Sequence, residues 1–164
     1  MAFFRDGLRL LALAAVLAAA AGAGPAPAAG EGPRTSAGQT VYVPVYSHIY
    51  SGDRERPILL AVTVSVRNVD PTQPITLVQA DYHDSQGRKL KSFLAAPLTI
   101  PPLGSERFVI AESDKRGGSG ASFILRWEAA GAVHAPLMES VMVGTQSQLG
   151  LTFTSRGVVI AEGG

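Results

Sequence analysis

The stretch Ile58-Leu-Leu-Ala-Val-Thr-Val-Ser-Val-Arg67 decides the fold class. Leu60, Val62, Val64 and Val66 fall on one side of an extended chain. Ala61, Thr63, Ser65 and Arg67 fall on the other. Successive side chains of a strand point to opposite faces, so this period of two marks a half-buried β-strand. The run ends in Asn68-Val-Asp-Pro71, which is turn chemistry.

The same alternation extends in both directions. Upstream, Val41, Val43 and Val45 alternate with Tyr42, Pro44 and Tyr46. Downstream, Ile75 to His83 places Val78, Ala80 and Tyr82 inward and Gln79, Asp81 and His83 outward. Asp84-Ser-Gln-Gly87 reads as a hairpin turn with a glycine available for positive φ, and Arg88 to Leu94 returns. The prolines of Ala96 to Pro102 mark a bend, since proline does not sit in a central strand. Arg107 to Ala111 follows, with Phe108 and Ile110 inward. Phe123, Leu125 and Trp127 form the inner side of another strand, with Arg126 and Glu128 toward solvent. Leu137 to Val143, Leu149 to Thr154 and a short Val158 to Ile160 complete the series.

About eight strands with no helical period predict an all-β domain. The expected architecture is an immunoglobulin-like antiparallel two-sheet sandwich with Trp127 in the core. A small β-barrel is the alternative.

The N-terminus reads differently. Arg5 and Arg9 precede an unbroken apolar run from Leu10 to Ala21, and small residues follow. This is the pattern of a secretory signal, with cleavage after Ala23 or Ala28. The run is shorter than the ~20 residues a spanning helix needs, so no membrane span is expected after cleavage. The expected organisation is a signal at 1–28, a flexible Gly-, Pro- and Ala-rich leader at 29–39, and a single β domain at 40–162. The expected location is periplasmic or secreted.

Of 14 basic and 13 acidic residues in the chain of 164, Arg5, Arg9 and Asp6 lie in the signal, which leaves 12 of each. A near-neutral domain with no basic stripe argues against a nucleic-acid partner or a strongly charged membrane partner. The chain has no cysteine. Disulfides, thiolate-held zinc, iron–sulfur clusters, cysteine nucleophiles and a lipid carried on cysteine are therefore excluded.

Four places offer chemistry. In Asp114-Lys-Arg-Gly-Gly-Ser-Gly-Ala121, the residues Asp114, Arg116, Gly117, Gly118, Ser119 and Gly120 form a candidate anion nest. The plain reading is a turn whose glycines satisfy the backbone. The spacing matches neither a phosphate-binding G-x-x-x-x-G-K-[ST] loop nor a G-x-S-x-G elbow. Asp81, His83 and Asp84, with His48 or His134, are a candidate metal set, against the reading of an ordinary polar strand face. Ser119 with His83 or His48 and an Asp makes a triad on paper only, because a triad is a matter of geometry. Tyr42 and Tyr46, on one strand face and followed by Tyr50, offer a stacking surface, against simple packing. Arg156, beside Ser155, is a further candidate ligand contact. No metal site, catalytic group or cofactor is assigned.

Thr40–Tyr50, Ser65–Asp70, Gly117–Phe123, Glu139–Gly144 and Phe153–Gly157 occur together in this order. The set resembles a bacterial family of small exported proteins known as a domain of unknown function, over about residues 38 to 160. The resemblance implies the domain limits and export, and no functional residues. The family often has Tyr where His83 stands, which makes His83 a poor candidate for a shared role. The expected function is a non-enzymatic binding or protein-interaction module of the bacterial envelope, with an envelope protein or small ligand as partner. A periplasmic hydrolase or metal-binding protein is the alternative. The binding reading expects the 114–121 loop and the Tyr42–Tyr50 segment to lie together.

Overall fold

The computed structural model describes residues 34–53, 55–145 and 150–163. They fall in one compact unit. The expected signal and the first part of the expected leader lie outside the described residues.

The described chain is all β. Its strands are β1 Thr35–Pro44, β2 His48–Ser51, β3 Arg56–Leu59, β4 Ala61–Arg67, β5 Ile75–His83 and β6 Lys89–Ser92. They continue with β7 Leu98–Ile100, β8 Ser105–Ile110, β9 Ser122–His134, β10 Leu137–Gly144, β11 Leu151–Arg156 and β12 Val158–Glu162. One sheet runs β12-β1-β9-β5-β6, with β7 on the end of β5. The other runs β11-β10-β4-β8, and β2 and β3 form a small hairpin of their own. The pairings are antiparallel, and neither sheet closes on itself. The molecule is a β-sandwich rather than a barrel.

The alternation read from the sequence is the inner face of the sandwich. Leu60, Val62, Val64 and Val66 are 0–1% exposed, and Phe123, Leu125 and Trp127 are fully buried. The Trp127 indole N–H has no hydrogen-bond partner in the structure. Toward one side, Phe93, Phe108, Phe123 and Tyr82 form a contiguous ring cluster, and Lys91 Nζ lies 4.0 Å over Phe93.

The structure departs from the expected strands in four places. The first described strand, β1, starts at Thr35, inside the stretch expected as leader. Thr35 and Ser36 pair with His134 and Val133, so backbone pairing orders a segment too poor in apolar side chains to announce itself. The run 58–67 breaks at Leu60, whose N–H donates to Ser47 O at 3.0 Å. Residues before the break pair with β2, and those after it enter the sheet. In β5 a bulge lies between Leu77 and Gln79, so Leu77 rather than Val78 packs inward. Finally, the proline bend contains β7, three residues between Pro97 and Pro101 at a sheet margin, where flanking prolines cost no ladder bond.

Candidate functional site

The glycine loop is docked, and its polar groups bond within the loop and to Ser47 and Ser85. Asp114 holds its own Arg116 in a fork, with Nε to Oδ1 at 2.9 Å and Nη2 to Oδ2 at 2.7 Å. That contact, chiefly the Arg116 side-chain bond, holds the Asp114 carboxyl below its usual range. Gly117 O accepts from Ser85 N and Ser85 Oγ, both at 2.9 Å. Gly120 N donates to Ser85 Oγ at 3.0 Å. Gly118 O accepts from Ser47 N, and Ala121 O from Val45 N, both at 3.0 Å. The loop and the Tyr42–Tyr50 segment therefore do lie together, joined by backbone bonds at 45–47. What they build is a latch between chain segments. An anion nest needs free amides, and the Gly118 and Gly120 amides already donate to Lys115 O and Ser85 Oγ.

The two tyrosines serve different neighbours. Tyr46 meets Phe153 edge-on at 5.6 Å, against the core. Tyr42 sits on the outer face of the first sheet, in register with Ile124 and Val158.

The polar face at 81–84 is engaged as well. Asp81 accepts from Gln79 Nε2 at 2.9 Å and pairs with Lys89 Nζ at 3.3 Å. Burial alone would raise its carboxyl, but bonds from Gln79, Ser92 and Lys89 outweigh it and lower it. Asp84 is held by Arg88 at 2.7 Å. His48 Nε2 lies 3.3 Å from Tyr50 Oη, and His83 Nδ1 is buried without a partner. Among the described residues, no three His, Asp or Glu side chains come together. Among the described residues, none of the three imidazoles has a hydrogen bond to a Ser or carboxylate side chain. The Ser119 triad is not assembled.

A concavity lies at the end where the chain crosses from one sheet to the other. β11 ends the second sheet at Arg156, Gly157 makes the crossing, and β12 joins the first sheet beside β1. The crossing needs glycine. A Cβ at Gly157 would stand 2.6 Å from Val41 Cγ1, and its N–H donates to Met138 O at 2.9 Å. Because the chain has changed sheets, the inner face of β12 is left uncovered. A cleft of about 710 Å³ opens there, within the size range of small-molecule sites. Buried Val41 and Met138 lie at its base, and half-exposed Val159 flanks them. Its polar residues include Arg34, Arg156 and a bonded pair: Gln39 Nε2 donates to Glu162 Oε1 at 3.1 Å, while Ser36 Oγ donates to Oε2 at 2.9 Å. Of the residues singled out from the sequence, Arg156 and His134 reach this cleft; the glycine loop does not.

One wall of the cleft is built by the turn after β4. Asn68 Nδ2 donates to Gln73 O at 2.8 Å and Pro101 O at 3.0 Å. Its Oδ1 accepts from Asp70 N at 3.0 Å. Asp70 accepts from Thr72 N and Gln73 N at 2.9 Å, and from His134 N at 3.0 Å across the cleft wall. These amides, His134 first, hold the Asp70 carboxyl well below the usual carboxylate range. A lowered folded-state pKa means stability that is present above the unfolded value and lost as pH falls below it. Asp70→Asn is therefore expected to be less stable at neutral pH. It should lose less further stability than the parent between about pH 5 and pH 2. Urea midpoints across that range test this, and parallel curves would contradict it.

Sequence reasoning missed Gln39, Val159 and Glu162. Gln39 lies in the expected leader and Glu162 past the expected last strand at 158–160; only their pairing across β1 and β12 joins them.

A solved structure titled "Crystal Structure of Thermotoga maritima 1070" is similar to this chain. It has 7% sequence identity and a TM-score of 0.45, covering 76% of this chain and 97% of that one. No curated protein matches the chain. A family model matches residues 38–160, which span the strands, the latch and most of the cleft. The chain belongs to that family, described as "Protein of unknown function (DUF3124)".

Proposed function

We propose that this protein is an exported, non-enzymatic binding module of the bacterial envelope, periplasmic or secreted, and that the cleft at the sheet crossing is its ligand site. The observation that carries the reading is the uncovered inner face of β12. There Val41, Met138 and Val159 meet the bonded Gln39–Glu162 pair. Apolar walls with a few placed polar groups are the usual make-up of a small-molecule site. The chemistry fits a ligand with an apolar body and a hydrogen-bond-donating head, the head meeting the Glu162 carboxylate. Export rests on the N-terminal charge and hydropathy pattern.

Val159 is 42% exposed, so Val159→Trp fills the cleft without disturbing the core. Native mass spectrometry of the protein isolated from its own host should show a small-molecule adduct that this variant loses. An adduct kept at equal occupancy by Val159→Trp would sink the assignment, as would the absence of any adduct.

A further inference from the structure

The outer face of the second sheet segregates its charge. Register places Arg107 of β8, Ser65 of β4, Glu139 of β10 and Arg156 of β11 in one row across the sheet. Arg67 lies one step along β4 on the same face. Its Nε is 3.5 Å from Glu139 Oε1 and donates to Ser65 Oγ at 3.2 Å. Arg107 and Arg156 are exposed, and among the described residues neither guanidinium has an ion-pair partner. Three arginines thus share the band with Glu139, and Arg67 is the one in contact with it. Beyond this band the strand residues on the face are uncharged: Thr63 is in register with Val109 and Val141, and Val143 with Ala61 and Thr152; the Glu112 carboxylate, bonded to Thr145, lies past Val143. Val109 is 52% and Val143 39% exposed.

We infer that this flat face docks on an anionic lipid surface. The arginine band matches phosphate head groups in charge, and guanidinium forks suit phosphate geometry. The adjoining valines and threonines make a shallow apolar band fit for the interface, with no helix or span required. Near-neutrality of the whole domain does not oppose this. Charges farther away than a Debye length, about 8–10 Å, are screened, and only the local band is felt.

Vesicle co-sedimentation of the purified protein tests it. Binding should be at least about tenfold stronger to phosphatidylcholine vesicles containing about a third phosphatidylglycerol than to pure phosphatidylcholine. It should fall steeply as salt rises. The variant R67A/R107A leaves the cleft-lining Arg156 in place, changes only exposed side chains and should keep the parent melting temperature while losing most of that preference. Equal binding to both vesicle types would overturn the inference. So would a folded variant that binds like the parent, or binding of inorganic phosphate without binding of vesicles.

Discussion

Gly117→Ala is expected to destabilise the protein by about 3–5 kcal/mol, a large part of the usual stability of a domain this size. The reason is steric. The added Cβ would run into Tyr82 Oη, and it would stand 2.7 Å from Ser47 Oγ and 2.8 Å from Ala121 Cβ. None of these neighbours yields easily. Tyr82 and Ser47 are buried and hydrogen-bonded to each other at 2.8 Å, and Ala121 is packed in the core. Making room breaks that bond and leaves a buried hydroxyl unpaired, which costs about 1–3 kcal/mol before any overpacking. The closest obstacle is one oxygen, so Tyr82→Phe should restore part of the loss in the Gly117→Ala background. The coupling should be about 1 kcal/mol or more in a double-mutant cycle. Denaturant midpoints measure both. A single variant costing less than about 1 kcal/mol, or a cycle without coupling, would show that the loop is not the close-packed latch described.

Asn68→Ala should cost about 3 kcal/mol. Asn68 is 2% exposed, and its amide joins the 68–73 turn to the carbonyls of Ile100 and Pro101. Alanine leaves the Asp70 amide without its partner and takes one donor from each of those carbonyls, of which Pro101 O keeps Gly104 N. Asn68→Asp should be no better at neutral pH. It keeps the shape, but it cannot donate and places a carboxylate against three carbonyl oxygens. Thermal melts of the two variants decide the matter; an Asp variant as stable as the parent would show that shape, not donation, holds the turn. The Asn68–Asp70 turn thus has a structural reading: it positions the His134 side of the cleft.

How much of this was legible in the sequence follows from the range of each interaction. Period two in 60–66 and 123–127 is local, so the strands, their inner faces and the core place of Trp127 could be read directly. The strand limits could not. The break at Leu60 is set by Ser47 O, and the early start at Thr35 by the distant end of β9; both are bonds between remote parts of the chain. The glycine loop drew notice as an anion nest because three glycines in four residues look permissive. The closeness of Tyr82 and Ser85, which uses that permissiveness for packing, is a tertiary fact. The cleft was illegible for the same reason. Gln39 and Glu162 are separated by most of the domain, and only the crossing at Gly157 brings their strands side by side. Composition hid the arginine band too, since a neutral total says nothing about which strand faces share a row.

The central claim is that ligand binding belongs to the cleft at the sheet crossing and that the glycine loop is internal structure. Amide chemical-shift mapping tests it most directly. The small-molecule fraction released from the host-purified protein would be titrated into the isotope-labelled chain. The account predicts shifts concentrated at Gln39, Val41, Met138, Val159 and Glu162, with Gly117, Gly118 and Gly120 unmoved. Shifts centred on those three glycines, with the cleft silent, would contradict it.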